Sequence, residues 1–223
     1  MLKIGVILSG CGVNDGSEIH EAVLTLLAID KAGAQAVCMA PDIPQADVVD
    51  HLSGAPTREK RGVLAESARI ARGKIQDLRQ AKASELDAVI VPGGYGAAKN
   101  LCTFAKDGPG CSVQEDVARL LREMHEAGKP IGALCIAPTV LAKVFGPLKP
   151  ELTIGKDPGT AKALQAMGAR HQDRGASEVV VDKANRLVTT PAYMLAGRIS
   201  EVAAGADALV RAVVELSKKP ARA

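Results

Sequence analysis

Short apolar runs alternate with helical patterns along most of this 223-residue chain, and that alternation limits the fold more than any other feature. Lys3 to Leu8, Gln35 to Ala40, Ala88 to Val91 and Pro130 to Leu134 are almost continuously apolar. Such strands belong to a parallel sheet buried on both faces, because a half-exposed strand alternates apolar with polar residues. Between the first two, Ile19, Ala22, Val23, Leu26 and Leu27 form a helical stripe that Gly33 closes. Asp15-Gly16-Ser17-Glu18 resembles a capping box at its start. Further helices are expected from about Gly62 to Ile70, from Val113 to Ala127, from Thr139 to Lys143 and from about Tyr193 to Leu216, followed by a basic tail. Glu178 to Val181 and Arg186 to Thr190 read as a hairpin-like pair, and segments 41–86 and 145–177 as insertions. The pattern implies an α/β fold with a mostly parallel sheet covered on both faces, in one domain spanning residues 1–223.

In doubly wound sheets, chemistry collects where the C-terminal ends of the strands open near the switch in strand order. Three signals fall on that edge. The run Ile131-Gly132-Ala133-Leu134-Cys135-Ile136-Ala137-Pro138 places a cysteine on a turn from strand to helix, the thiol version of a nucleophile elbow. A helix N-terminus just beyond it favours a thiolate. Gly93 and Gly94 follow the third of these strands, where glycine lets a backbone amide approach a ligand. With the amide of Gly94 and that of Ile136 aimed at a developing oxyanion, each donor is worth about 3 kcal/mol in the transition state. Glu21 lies early in the first helix, flanked by Ala22 and Val23, and is expected to point inward beside the thiol. Its carboxyl would then be raised in pKa, share a proton with sulfur and act as general acid and base.

Composition narrows the chemistry. A net charge of +3, two tyrosines, two phenylalanines and no tryptophan offer nucleic acid neither a basic surface nor a stacking platform. No segment approaches the roughly 18 apolar residues of a membrane span. Met1-Leu2-Lys3-Ile4 runs directly into a strand, so no signal peptide is expected and the protein reads as cytoplasmic. The cysteines, at 11, 38, 102, 111 and 135, are odd in number and hold no C-x-x-C, which argues against a disulfide framework or a zinc site. Histidines 20, 51, 125 and 171 are scattered, so no metal is expected. His20 adjoins Glu21 but lies about 100° round the helix from it. The run from Gly10 to Gly16 has the spacing G-x-G-x-x-x-G, which departs from the dinucleotide fingerprint, so no nicotinamide cofactor is expected either.

Taken together, Ile4 to Gly12, Asp15 to Glu21, Val91 to Asn100, Cys135 to Pro138 and Thr189 to Met194 resemble the bacterial enhancing-lycopene-biosynthesis (ElbB) protein family, over nearly the whole chain. That family belongs to the PfpI-type, class I glutamine amidotransferase-like superfamily. The resemblance implies a flavodoxin-like three-layer α/β/α sandwich, frequently a homodimer, with cofactor-free, glutathione-independent glyoxalase activity on small dicarbonyls such as glyoxal and methylglyoxal. Residue by residue, Cys135 corresponds to the elbow cysteine, Glu21 to the glutamate that contacts it, and Gly94 and Ile136 to the oxyanion amides. Many relatives carry a histidine after the cysteine or on the next segment; here Ile136 and Thr153-Ile154-Gly155-Lys156 stand there. That departure disfavours a Cys-His protease and a glutaminase subunit, and moves the proton-transfer burden to Glu21. The competing reading is a non-enzymatic redox sensor or regulatory protein linked to isoprenoid metabolism, in which Cys135 is oxidised and Glu21 bonds the sulfinic acid.

Overall fold

The computed structural model describes residues 1–218, and the expected basic tail from residue 219 lies outside them. The first half of the chain forms β1 (Lys3–Ile7), α1 (Ile19–Lys31), β2 (Gln35–Ala40), α2 (Val63–Ile70), β3 (Ile75–Asp77), β4 (Ala88–Val91), α3 (Tyr95–Lys99) and α4 (Phe104–Asp107). The second half forms α5 (Glu115–Glu126), β5 (Ile131–Leu134), α6 (Pro138–Phe145), β6 (Glu151–Leu152), α7 (Pro158–Ala166), β7 (Arg170–His171), β8 (Val180–Asp182), β9 (Leu187–Thr190) and α8 (Ile199–Ser217). Seven strands make one sheet in the order β3-β2-β1-β4-β5-β9-β8, parallel throughout except for β8, which runs antiparallel to β9. β6 and β7 pair separately. The fold is the expected flavodoxin-like three-layer α/β/α sandwich.

The continuous apolar strands are explained by their two faces. Ile4, Val6, Ala88 and Ile90 pack under α1 and α8 with Ile29, Val202, Leu209 and Val213. Ile7, Val89 and Val91 face the opposite layer, filled by Val117, Leu120, Leu121 and Met124 of α5 and by Val140 and Leu141 of α6. Each large side chain buried this way contributes about 1.5–3 kcal/mol, so neither face can be given up.

Three expectations need correction. Segment 41–86 is not a mere insertion, because β3 pairs Cys38 with Ile75 and extends the sheet at its edge. Ile75-Gln76-Asp77 carries one apolar residue and is too short to show a period. The last helix begins at Ile199 rather than near Tyr193, since residues 192–194 form a 3-10 turn. Glu201 sets the true start, accepting the amides of Gly197 at 2.9 Å and Arg198 at 3.2 Å. The capping box before α1 is also built differently. Glu18 itself caps, accepting the Glu21 amide at 2.7 Å, while Asp15 accepts the Val49 amide at 2.8 Å.

The chain turns outward from β1 to β2 and β3, and the other way from β4 to β5 and β9, so the switch point lies between β1 and β4. There the loop after β1 is laced to the turn after β4. Glu18 donates its amide to Gly93 O at 3.0 Å, Tyr95 to Val13 O at 2.8 Å and Gly96 to Gly16 O at 2.9 Å. Buried Asn100 ties the bundle, donating to Ser9 O at 2.8 Å and Asp15 O at 2.9 Å while accepting from Ala46 N at 2.8 Å. The glycine-rich run that mimics a dinucleotide loop is thus spent on holding the start of α1 against Gly93 and Gly94. No helix among the described residues is long and apolar enough to cross a membrane.

Candidate active site

Cys135 sits between β5 and α6 with φ at +58°, in the left-handed region. For a residue with a Cβ that conformation costs about 1–2 kcal/mol, and the surroundings enforce it. Its amide donates to Thr190 O of β9 at 3.0 Å, and the Ala137 amide returns to Leu134 O at 2.9 Å, closing the elbow. Pro138 then opens α6, a favoured first residue because its missing N–H is not needed there. The elbow does not push the sulfur into solvent, since Cys135 is only 8% exposed.

Glu21 faces the thiol from α1 and is fully buried. One carboxylate oxygen accepts the Gly93 amide at 2.9 Å and the other the Tyr193 amide at 3.1 Å. The same carboxyl stands beside the Cys135 side chain, across the space that a Cβ on Gly93 would fill. The glycine pair is required by packing at this point. A Cβ on Gly93 would lie 2.4 Å from Cys135 Cβ and 2.6 Å from Glu21 Oε2. Gly94 has φ at +94°, and a Cβ there would lie 2.3 Å from the Glu18 amide nitrogen. The structure therefore brings Cys135, Glu21, Gly93, Gly94 and Ile136 together, with the amides of Gly94 and Ile136 turned towards the Cys135 sulfur.

Titration differs in part from the sequence expectation. Burial, with the Glu21 carboxylate beside it, pushes the Cys135 thiol well above its ordinary value, against the pull of the Gly94 and Ile136 amides. The resting sulfur is a thiol, and the expected thiolate does not form unaided. Desolvation likewise raises Glu21 from 4.5 to about 7, opposed by the Tyr193 amide. The pair carries at most one negative charge between its two members, because a second would be buried uncompensated.

A pH dependence follows. Between pH 4.5 and about 7 the native state keeps a Glu21 proton that the unfolded chain has released. Stability should therefore fall as pH rises through that window, by on the order of 3 kcal/mol, and level off above it. Urea unfolding of the wild type and Glu21→Gln at pH 5 and pH 7.5 checks this. The wild type loses stability between the two and the variant does not; parallel behaviour would contradict a raised Glu21.

Two partners of the site escaped the sequence reading. Tyr193 reaches Glu21 through its backbone amide, which the tight turn after Thr190-Pro191 delivers and no side-chain pattern announces. Glu18, a helix cap, adds negative charge near Glu21. His20 stands half-exposed at the margin, its Nδ1 2.8 Å from the Tyr193 hydroxyl. A cleft of about 310 Å³, lined by Asp47, Lys99, Thr103 and Lys106 among others, does not include the cysteine or the glutamate. Among the described residues, no group of three or more His, Cys, Asp and Glu is placed to hold a metal ion.

A buried cysteine on a strand-to-helix elbow, answered by a helix-borne glutamate at the switch point, defines an α/β protein of the nucleophile-elbow class. Comparison with protein-family models makes the class particular: the chain belongs to the DJ-1/PfpI family, whose model matches residues 11–196. It is 48% identical to the rat ES1 protein homolog, mitochondrial, over 97% of this chain and 85% of the rat one. It is equally 48% identical to the human glutamine amidotransferase-like class 1 domain-containing protein 3, mitochondrial, over 97% of this chain and 84% of the human one. Among solved structures, an isoprenoid biosynthesis protein with an amidotransferase-like domain from Ehrlichia chaffeensis superposes with a TM-score of 0.89 at 37% identity, over 96% of this chain and 99% of that one.

These relatives overturn the expectation of a cytoplasmic protein, since the rat, human and zebrafish proteins are all named as mitochondrial. Folding patterns do not encode compartment. Sorting is read from short targeting segments, so an apolar strand near an N-terminus carries no address.

Proposed function

We propose that the protein is a cofactor-free glyoxalase that converts glyoxal, and less readily methylglyoxal, to the 2-hydroxy acid. The observation that carries this reading is the buried Glu21 carboxyl beside the Cys135 thiol, held by the Gly93 and Tyr193 amides and raised in pKa to about 7. Such a group gives and takes protons equally well at neutral pH. Glu21 accepts the thiol proton as sulfur bonds to one aldehyde carbon and passes it to the former carbonyl oxygen, which forms the hemithioacetal and returns Glu21 to its carboxylate form. The amides of Gly94 and Ile136, aimed at sulfur in the resting state, take up the new oxygen beside it. Glu21 then carries the proton from the sulfur-bearing carbon to its neighbour through an enediol, leaving a thioester. Water cleaves that thioester to glycolate and restores the thiol. A two-carbon substrate supplies little binding energy, so KM is expected to be high.

The redox-sensor reading draws on one observation, that the two amides face the sulfur and could hold the oxygens of a sulfinic acid. The raised thiol weighs against it, because peroxide reacts with thiolate. The reading also includes a homodimer. Ile19, Val23 and Leu27, spaced one turn apart on α1, are all exposed and form the apolar stripe best suited to a second copy.

Glycolate production from glyoxal without glutathione tests the activity, with Cys135→Ala and Glu21→Gln beside the wild type. Clear turnover that both variants abolish supports the enzyme. Full activity in Cys135→Ala sinks the mechanism, and wild-type turnover at background transfers the case to the sensor.

A further inference from the structure

The two amides that hold Glu21 are themselves held in different ways. The Gly93 amide, on Oε2, belongs to the turn after β4, which is laced to the start of α1. The Tyr193 amide, on Oε1, comes from residues 192–194, a single 3-10 turn between β9 and α8. That turn is strained. Buried Ala192 has φ at +44°, in the left-handed region that residues with a Cβ rarely adopt. A side-chain bond fastens the turn to α1. The Tyr193 hydroxyl lies 2.8 Å from Nδ1 of His20, the residue next to Glu21, and the two rings stand 5.9 Å apart at 44°. Two consecutive residues of α1 thus hold Tyr193 at both ends, His20 at its hydroxyl and Glu21 at its amide.

We propose that His20 and Tyr193 are positioning residues, whose side-chain bond clamps the strained turn against α1 and so keeps the Tyr193 amide on the Glu21 carboxyl. Neither side chain needs to touch a substrate for this. A bond between partly exposed side chains is modest. The strain at Ala192 is of the same order, so loss of the bond lets the turn relax away from Glu21. The holding of Glu21 stands apart from any reaction. A share in turnover rests on the glyoxalase reading, and the test reads the two separately.

What the clamp controls is the charge on Glu21. The titratable groups around that carboxyl are Glu18 at the cap of α1, Cys135 on the elbow and the Tyr193 phenol on the turn. None of these is a cation, so the carboxylate form leans on the two amides. Burial raises Glu21 to about 7, and the Tyr193 amide is the strongest influence opposing that rise. Without it, the carboxyl keeps its proton to higher pH. His20 can act through charge as well as through its bond, because its Nδ1 is 4.0 Å from Glu18 Oε1 and a protonated ring would favour negative charge nearby. The two effects are separable. An asparagine in place of the histidine sets an amide near the position of Nδ1 and carries no charge.

The test follows the Glu21 carboxyl carbon by NMR in the full chain with isotope-labelled glutamate, its resonance identified by its loss in Glu21→Gln. In the wild type it should titrate at about 7. In Tyr193→Phe, which removes only the hydroxyl, the midpoint is expected to rise by about one pH unit, the tenfold change that losing one hydrogen bond to a charged group brings. His20→Ala should do the same, the double variant no more than either alone, and His20→Asn should stay at the wild-type value. Both side chains reach solvent, so the variants are expected to fold, which Tm checks. An unmoved midpoint in Tyr193→Phe overturns the clamp. So does an equal rise in His20→Asn and His20→Ala, which would assign the effect to charge on the imidazole. The pH profile of glyoxal turnover should shift with the carboxyl. A midpoint that moves in a protein without turnover supports the clamp and removes the glyoxalase reading.

Discussion

Cys135→Ala and Cys135→Gly are both expected to reduce glyoxal turnover to the uncatalysed background, with the glycine variant the more stable of the two by about 1 kcal/mol. The loss of turnover follows from removing the sulfur that forms the hemithioacetal in the proposed mechanism. The stability order is the reverse of an ordinary site, where alanine exceeds glycine by roughly 0.5–1 kcal/mol because glycine loses more backbone freedom on folding. At φ +58° a Cβ is strained, and only glycine escapes the penalty. Backbone strain of this kind persists where the surroundings over-determine it, as the Thr190 and Leu134 hydrogen bonds do here. Urea unfolding of the two variants decides the matter. An alanine variant more stable than the glycine one would mean that no strain is held at the elbow.

Gly93→Ala is expected to lower turnover about a hundredfold and to cost about 1–3 kcal/mol of stability. The added methyl would sit 2.4 Å from Cys135 Cβ and 3.0 Å from its sulfur, and 2.6 Å from Glu21 Oε2. Cys135 Cβ is fixed by the elbow backbone and cannot swing aside, so the turn after β4 or the carboxyl must move. Overpacking of this kind costs a few kcal/mol, and displacement of a reacting group by about 1 Å costs about a hundredfold in rate. Moving the turn also lengthens the bond from the Gly93 amide to Glu21, now 2.9 Å. Turnover assays beside urea unfolding separate the two effects. Wild-type rates in Gly93→Ala would show that the Glu21–Cys135 contact is not what drives catalysis.

Legibility in the sequence varied by element, for reasons of range. β1, β2, β4 and β5 showed themselves because strands buried on both faces are apolar without interruption. β3 was invisible because its pairing with β2, not its own composition, makes it a strand. The start of α8 was misplaced by six residues, from Tyr193 to Ile199, because the apolar pattern continues through the turn that carries the Tyr193 amide to Glu21. The cysteine, the glutamate and the glycine pair could be named from local pattern and family resemblance, whereas their hydrogen bonds could not. The thiolate expectation failed for a related reason. A helix N-terminus is visible in sequence, but the desolvation that outweighs it at Cys135 depends on everything packed around the sulfur.

By itself, then, the sequence determined the order of elements, the two-faced parallel sheet and the elbow, since each depends on residues within a few positions of one another. Tertiary structure alone decided that the Gly93 and Tyr193 amides hold the Glu21 carboxyl, and that Gly93 has no room for a side chain. Those facts join segments distant along the chain, and their energies come from burial and proximity that exist only after the sheet has closed and water has left the site.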